Sequence, residues 1–252
     1  MVLLLLFIMG ICIGSFTNVV IDRVATNRSL IVGRSYCESC KKKLSWFELL
    51  PLLSFLLQKG KCRKCKAIIP LRLFFVELIG GLSLSGLYFF SLMNGLDLKV
   101  FLILIPIVFI FISIFFIDLE YGIIPDSLSI LLVILAIGYT LLSHQAIGNH
   151  LFAALGSFLF FFILFFITRG KGMGFGDVKL AFVLGLLLGF PLIVVSLYVA
   201  FLTGAGISII LVMWKKKSFK KSTIPFGPFL VLGAIMALFY GREILSVFIQ
   251  FL

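Results

Sequence analysis

Two aspartates, Asp118 and Asp177, are the side chains of this sequence best suited to catalysis. Asp118 lies at the end of one apolar stretch, and Asp177 begins another, directly after Gly174-Phe175-Gly176. Two carboxyl groups held close together do not both ionise, so one can act as an acid while the other activates water as a base. This is the chemistry of an aspartic protease. The alternative is that each aspartate only marks the end of its apolar stretch.

A third aspartate, Asp126, follows Pro125 at the start of a further apolar stretch. Such a position is typical of an N-cap, whose side-chain oxygen accepts a backbone N–H of the first helical turn. Asp126 is therefore either an N-cap or an additional acid of the site, and the N-cap is the simpler interpretation. Lys179 is near Asp177 in the sequence and either acts on that carboxyl group or extends towards water.

Four cysteines form a pattern typical of a metal site. Cys37 and Cys40 make one C-x2-C pair, and Cys62 and Cys65 make a second pair after a gap of 21 residues (41–61). Two such pairs supply four thiolates for a tetrahedral zinc ion, and four protein ligands leave no open position, so the zinc would be structural. Two disulfides are the main alternative, which a reducing cytoplasm disfavours. Cys12 is expected to be a small buried residue.

Basic residues surround the cysteines and would lower the pKa of the thiols. They are Lys41, Lys42, Lys43, Lys61, Arg63, Lys64 and Lys66. The two histidines, His144 and His150, lie near a different loop, where they are expected to be interfacial polar residues. Neither can reach a site formed by the aspartates, so a Ser-His triad or a His-ligated catalytic zinc is not expected.

The composition indicates that helices in a membrane must position these residues. Hydrophobic residues make up 62% of the 252 residues and charged residues 13%, against about 45–50% and about 25% in soluble domains. A soluble enzyme and a disordered chain are therefore excluded. Apolar runs cover residues 1–21, 74–93, 99–117, 127–143, 150–168, 178–213 and 225–252. The run 178–213 is too long for one crossing, and Gly189-Phe190-Pro191 divides it, which predicts eight transmembrane helices, the sixth unusually short.

The distribution of basic residues predicts the orientation of these helices. Twelve Lys and Arg lie between Arg23 and Arg72, and two further groups follow the fifth and seventh spans. The positive-inside rule places all three groups in the cytoplasm and the N-terminus outside. The further groups consist of Arg169, Lys171, Lys215, Lys216, Lys217, Lys220 and Lys221. Two crossings separate Asp118 from Asp177, so both return to the cytoplasmic side.

Three regions follow from this topology. Residues 1–21 form the first transmembrane helix, residues 22–73 form a cytoplasmic four-cysteine zinc-binding domain, and residues 74–252 form a membrane-embedded core with helices two to eight. The net charge of +12 is explained by cytoplasmic loops facing anionic lipid headgroups. Nucleic-acid binding is not expected, because no soluble basic domain is present to carry it.

Several segments of the chain resemble the bacterial type IV prepilin peptidases, also called leader peptidase/N-methyltransferases, a family of GxGD intramembrane aspartic proteases. The similar segments are residues 14–23, the cysteine pairs, and residues 48–55, 60–65, 76–78, 117–126 and 174–177. A single G-x-G-D would be weak, but together with the ordered cysteine pairs the pattern is specific. Two local departures occur, at residues 70–77 and at Thr17.

The resemblance implies a function. Such enzymes lie in the bacterial inner membrane, cut the basic leader of prepilins or pseudopilins just before a hydrophobic helix, and methylate the new N-terminal residue with S-adenosylmethionine. It implies that Asp118 and Asp177 are the catalytic pair, and that the cysteine domain accompanies methyltransferase activity. No glycine-rich nucleotide loop is visible, so the methyl-donor site is not located. The choice between type IV pilus assembly, type II secretion and competence, and the oligomeric state, stay open.

Four further residues could contact substrate or methyl donor, or could equally be structural: Asn18, Arg23, Glu48 and Glu77. Two alternative functions also stay open. One is a peptidase that does not methylate. The other is a membrane scaffold or transporter with a zinc-binding loop; a transporter would be expected to carry polar residues near the middle of the bilayer.

Overall fold

A computed structural model of the chain describes residues 1–30, 33–170, 172–214 and 225–250. Within these ranges it contains nine α-helices, one short 3₁₀ helix (Trp46–Leu49), and isolated β-bridges in place of strands. The helices are α1 (Val2–Ala25), α2 (Leu53–Leu57), α3 (Leu71–Asn94), α4 (Leu98–Tyr121), α5 (Asp126–Leu142), α6 (Ile147–Ile167), α7 (Phe175–Leu188), α8 (Leu192–Met213) and α9 (Gly227–Gln250).

The prediction of an all-α polytopic membrane protein is confirmed. Among the described residues, six helices are long and apolar enough to cross a membrane: α1, α3, α4, α6, α8 and α9. Two shorter helices, α5 with 17 residues and α7 with 14, complete the set of eight that the sequence predicts. The number of crossings stays a prediction, because α5 and α7 are shorter than the roughly 20 residues that span a bilayer. Of the predicted basic groups, Lys171 and the five lysines at 215–221 lie outside the described residues.

The chain divides into two compact units, Met1–Ser113 and Ile114–Leu252. In the first unit, α1 and α3 approach so closely that their backbones touch. A Cβ on Gly10 would lie 2.4 Å from the carbonyl oxygen of Gly80, so only glycine fits at this crossing. Small residues of this kind allow transmembrane helices to pack by close backbone contact. The Asn18 amide also donates to the carbonyl oxygen of Leu73 (3.0 Å).

In the second unit, α7 is the central helix. Ten of its 14 residues are buried, because α5, α6, α8 and α9 all pack against it. Gly185 lets α6 approach: a Cβ there would lie 2.6 Å from the carbonyl oxygen of Ala153. The Ser157 hydroxyl on α6 donates to the Ala181 carbonyl (2.9 Å). A helix shorter than a bilayer is thus enclosed by its neighbours in the bundle, and its polar start is buried among them.

The predicted division of the run 178–213 is confirmed, since α7 ends at Leu188 and α8 begins at Leu192. The expectation for His150 near this break is wrong. His150 is buried, its Nδ1–H donates to the carbonyl oxygen of Leu186 (2.8 Å), and its Nε2 lies 2.7 Å from the Gln145 side chain. It therefore joins the beginning of α6 to the end of α7. His144 is exposed in the preceding loop.

Candidate active site and metal centre

Asp118 lies in the last turn of α4 and is only 5% exposed. Its Oδ2 accepts a hydrogen bond from the backbone N–H of Gly227 (2.9 Å). Gly227 is the first residue of α9, and the first N–H groups of a helix have no partner inside it and form the positive end of its dipole. The start of α9 therefore supplies a donor to a carboxyl group in an apolar bundle.

Residue 227 must be glycine for this contact to exist. A Cβ at this position would lie 2.5 Å from Asp118 Oδ2 and 3.0 Å from its Cγ, closer than atoms can approach without moving. The preceding residue, Phe226, packs on Phe201 and Phe161, with ring centroids 5.1 and 6.1 Å away. This aromatic packing holds the start of α9 in place. Sequence reasoning missed Gly227, although a glycine between Pro225 and Pro228 at the beginning of an apolar run is a signal for a constrained helix start.

Asp177 is the third residue of α7 and is 6% exposed. Its Oδ2 accepts the backbone N–H of Gly174, the N-cap residue of the same helix (3.1 Å). Asp177 thus forms one half of a capping box on its own helix. Gly176 lets this first turn lie against Ile124, because a Cβ there would be 3.1 Å from the Ile124 Cβ. The glycines of the G-x-G-D motif therefore provide a backbone donor and a close contact.

The structure brings Asp118 and Asp177 close enough for their charges to interact. Both are buried, and each accepts one backbone hydrogen bond. Within the part of the chain that the structure describes, neither forms an ion pair with a basic side chain. Two such carboxyl groups are suited to holding one proton between them, because full ionisation of both would place two like charges together without a counter-ion.

Asp126 and Lys179 form a pair of their own beside this site. The N-cap interpretation of Asp126 is wrong: the N-cap of α5 is Pro125, and Asp126 is the first helical residue. The exposed Asp126 carboxylate makes an ion pair with Lys179, whose Nζ also lies 5.5 Å from the centre of the Phe175 ring. Lys179 is therefore engaged by Asp126 rather than by Asp177. This pair joins the beginning of α5 to the beginning of α7.

The four predicted metal ligands converge in the first unit. The Sγ atoms of Cys37, Cys40, Cys62 and Cys65 all lie within 4.8 Å of one another. The Sγ atoms of Cys37 and Cys65 are 3.8 Å apart, which matches the separation of roughly 3.8 Å between sulfurs bound tetrahedrally at Zn–S distances of about 2.3 Å. All the cysteines are free, so the disulfide alternative is not realised. The cluster could hold a metal ion, and its donor set fits zinc.

The two cysteine pairs share one local geometry. Cys37 exchanges backbone hydrogen bonds with the chain at Lys41 and Lys42 (2.8 and 2.9 Å), and Cys62 does the same with Lys66 and Ala67 (3.0 and 2.9 Å). Lys41 and Lys66 both have positive φ angles, 56° and 60°. Each pair therefore forms the same tight turn, which directs its two Sγ atoms towards the shared four-cysteine cluster. Cys12 takes no part and is exposed on α1, not buried as expected.

Without a bound metal, the pKa values of the thiols differ. Backbone N–H groups of Cys65 and Lys64 lower the pKa of the Cys62 thiol to about 6. For Cys40, the lowering effect of the Lys42 backbone is outweighed by burial and by neighbouring thiols, which raise its pKa to about 11. Crowded sulfurs of this kind exchange their protons for a bound cation, which is how metal binding becomes coupled to folding.

Glu48 holds the chain beside the first cysteine pair. Its buried carboxylate accepts hydrogen bonds from the Ser45 hydroxyl (2.6 Å) and backbone N–H (3.0 Å), and it pairs with Lys42 Nζ (3.0 Å). These contacts lower the pKa of Glu48 to about 2, with the Ser45 bonds as the largest cause. Its position indicates a local structural role. Asn18, Arg23 and Glu77 likewise bond backbone groups of their own unit.

The chain is similar to proteins of known families. Two family models match it: the bacterial peptidase A24 N-terminal domain over residues 8–91, and the type IV leader peptidase family over residues 104–209. The four cysteines fall in the first range and the two aspartates in the second. A prepilin leader peptidase/N-methyltransferase of Bacillus subtilis (strain 168) is 33% identical over 253 residues, covering 98% of this chain and 97% of that protein.

Further relatives carry the same name. One from Aeromonas salmonicida (strain A449) is 32% identical over 272 residues, covering 95% of this chain and 91% of its own. One from Legionella pneumophila is 33% identical over 229 residues, covering 88% and 78%. No solved structure matches the chain.

The Glu48 contacts predict a pH-dependent stability. Because the folded-state pKa of about 2 is below the ordinary value of 4.5, ionised Glu48 stabilises the protein above about pH 4.5, and this contribution is lost as the pH falls towards 2. Glu48→Gln should therefore lower the unfolding free energy of the four-cysteine region at neutral pH by about 1–3 kcal/mol. The difference from wild type should shrink below pH 4.5, as measured by unfolding in detergent. Glu38→Gln, at an exposed acid of the same region, should have little effect, and a pH-independent deficit in Glu48→Gln would contradict the assignment.

Proposed function

Because this chain belongs to the type IV leader peptidase family, we propose that it removes the basic leader of prepilin or pseudopilin substrates and methylates the new N-terminal residue with S-adenosylmethionine. The observation that carries the proposal is the pair of buried carboxyl groups at the ends of α4 and α7. They interact with one another, and each has a single backbone donor and no counter-ion among the described residues. This is the arrangement that acid–base hydrolysis of a peptide bond requires.

The proposed cleavage uses the two aspartates in complementary protonation states. The ionised carboxylate takes a proton from water, and the water oxygen attacks the scissile carbonyl carbon. The C–N bond then breaks as the protonated carboxyl group gives its proton to the leaving amine. The N–H groups of Gly227 and Gly174 orient the two carboxyl groups during this exchange. The released amine is the new N-terminus of the substrate.

Methylation would act on that amine. In its neutral form, the amine attacks the methyl carbon of S-adenosylmethionine, the C–S bond breaks, and the amine then loses a proton. We associate the four-cysteine region with this methyltransferase activity. Cys37, Cys40, Cys62 and Cys65 would hold a zinc ion, which supplies folding stability rather than reactivity because four protein ligands fill its tetrahedral shell.

We also propose the location of the enzyme. It would lie in the bacterial cytoplasmic membrane with its N-terminus outside, and with residues 1–21, 22–73 and 74–252 as first span, zinc-binding domain and peptidase core. Two helices, α5 and α6, separate Asp118 from Asp177, so both carboxyl groups would face the cytoplasm, where the basic leader remains. The scaffold or transporter alternative is less well supported, because both aspartates are at helix ends rather than near the middle of a span.

Mass spectrometry of one reaction tests both activities. Purified protein in detergent is mixed with S-adenosylmethionine and a peptide that has a basic leader, a Gly-Phe junction and an apolar tail. A truncated product with one added methyl group is expected. A truncated product without the methyl group, from protein with bound zinc, would indicate a peptidase only. An uncut peptide, with several leaders and folded protein, would contradict the proposal.

Asp118→Asn and Asp177→Asn should each leave the protein folded but reduce cleavage by at least about 10²–10⁴-fold, because acid–base catalysis needs both carboxyl groups. Cleavage rates are measured with the same peptide. Asp97→Asn is the matched control, since Asp97 is an exposed acid just before the other end of α4. Normal cleavage by folded Asp177→Asn protein would show that the pair is not catalytic.

Gly227→Ala should reduce cleavage by about 10²-fold, because the added Cβ must displace the Asp118 carboxyl group and a displacement of about 1 Å in a reacting group costs this much. Two controls separate this effect from general packing damage. Gly206→Ala on α8 adds a Cβ with no neighbour within 4 Å, and Gly233→Ala on α9 places one 2.2 Å from the Ser196 carbonyl oxygen, away from the aspartates. A loss in Gly227→Ala no larger than in Gly233→Ala would contradict the positioning role.

Cys62→Ser should lower bound zinc, measured by elemental analysis, and methylation should fall at least as much as cleavage. The reason is that the four sulfurs share one site, and one missing ligand opens it. Cys12→Ser, at an exposed cysteine outside the cluster, should change neither activity. Loss of cleavage with intact methylation in Cys62→Ser would refute this expectation.

A further inference from the structure

The segment between the two cysteine pairs exposes a continuous series of large apolar side chains, which we call the apolar ledge. Its members are Trp46, Leu49, Leu50, Leu53, Leu56 and Leu57. Trp46 is 76% exposed and Leu57 75% exposed. Contiguous apolar surfaces of this kind mark sites that contact a partner or a membrane. Two of the ledge residues lie in the 3₁₀ helix, Leu50 directly follows it, and the other three lie in α2. Glu48 holds this segment on one side.

The ledge is attached beside a membrane helix rather than beyond its end. The backbone N–H of Leu52 donates to Glu77 Oε2 (2.7 Å), and the ring centroids of Phe55 and Phe74 are 5.3 Å apart. Glu77 is the seventh residue of α3, about 9 Å along the helix from its first residue at 1.5 Å per residue. Over the same two turns, α3 itself exposes Leu71 and Phe75. The ledge therefore lies alongside the first two turns of α3 rather than beyond them.

The positive charge near the ledge favours an anionic partner. Exposed basic residues flank it in the sequence on both sides, and they are Lys41, Lys43, Lys59, Lys61, Arg63, Lys64 and Lys66. Between residues 33 and 70, the acids are Glu38 and Glu48, and Glu48 is buried and paired with Lys42. A basic leader peptide would be repelled by this surface. Apolar side chains flanked by cations instead complement the headgroup layer of a bilayer that contains anionic lipids.

We propose that the apolar ledge inserts into the interfacial layer of the leaflet that α3 enters, with the flanking lysines and Arg63 bound to anionic headgroups. This contact is separate from the catalytic proposal and uses neither aspartate. It holds the four-cysteine region flat against the membrane surface, at the level of the helix beside it. Tryptophan suits this layer, because its ring is apolar and its indole N–H remains near water.

The fluorescence of Trp46 tests the proposal directly. The chain has two tryptophans, and the Trp214→Phe variant keeps Trp46 as the single fluorescent one. The full-length variant is placed in nanodiscs of phosphatidylcholine and phosphatidylglycerol, with bromine near either the headgroup end or the methyl end of the acyl chains. We expect blue-shifted Trp46 emission that is quenched more strongly by bromine near the headgroup. Leu53→Ser with Leu57→Ser should lose this quenching. Ile68→Ser, at an 82% exposed residue outside the ledge, should keep it.

Varying the lipid charge and the salt concentration tests the role of the basic residues. Nanodiscs of phosphatidylcholine alone, or high salt, should shift Trp46 emission to the red and weaken its quenching, because screening removes the attraction of the basic residues. Equal quenching without phosphatidylglycerol would overturn the choice of an anionic surface. Red, unquenched emission would overturn insertion, and blue emission without quenching would show that protein, not lipid, covers the ledge.

Discussion

An acidic group can be kept inside an apolar helix bundle only if something other than water solvates it. In the second unit, this constraint falls on two neighbouring carboxyl groups, and the chain meets it with backbone N–H groups at helix starts. Asp177 uses the start of its own helix, and Asp118 uses the start of α9. A lysine or arginine would favour ionisation of both carboxyl groups, whereas neutral donors leave room for one shared proton. The position of the helix ends, rather than a set of polar side chains, therefore sets the environment of the two carboxyl groups.

The other features of the second unit serve this arrangement. A helix that begins with a buried acid cannot begin in lipid, and α7 is short and enclosed by four neighbours. Gly176 and Gly185 remove side chains where α7 must approach other segments. At its far end, His150 bonds the Leu186 carbonyl, one of the last carbonyls of α7 that no later turn satisfies. The start of α7 is thus completed by the side chain of its own Asp177, and its far end by His150 of α6.

The parts of the site that depend on local pattern were predictable from the sequence. Two C-x2-C pairs form their turns from adjacent residues, and the helix break at Gly189-Phe190-Pro191 follows from backbone chemistry. The meeting of Asp118 and Asp177 was expected because two helices, α5 and α6, lie between them in the chain. The contact between Gly227 and Asp118 joins residues 109 positions apart, and no periodicity or motif encodes such a distance. The pairing of Asp126 with Lys179 and the burial of His150 were missed for the same reason, since tertiary packing decided between local alternatives.

The backbone donor at the start of α9 has a consequence for how this helix can vary. A side-chain donor can be exchanged for another of similar shape, but the Gly227 N–H is tied to one place in the chain. A slip of α9 by one residue in one direction would present Pro228, which has no N–H. A slip in the other direction would present Phe226, whose ring belongs in the aromatic cluster with Phe161 and Phe201. Pro228 and Phe226 thus fix the start of α9 in one register relative to Asp118, because a slip of this helix in either direction would remove the Gly227 donor.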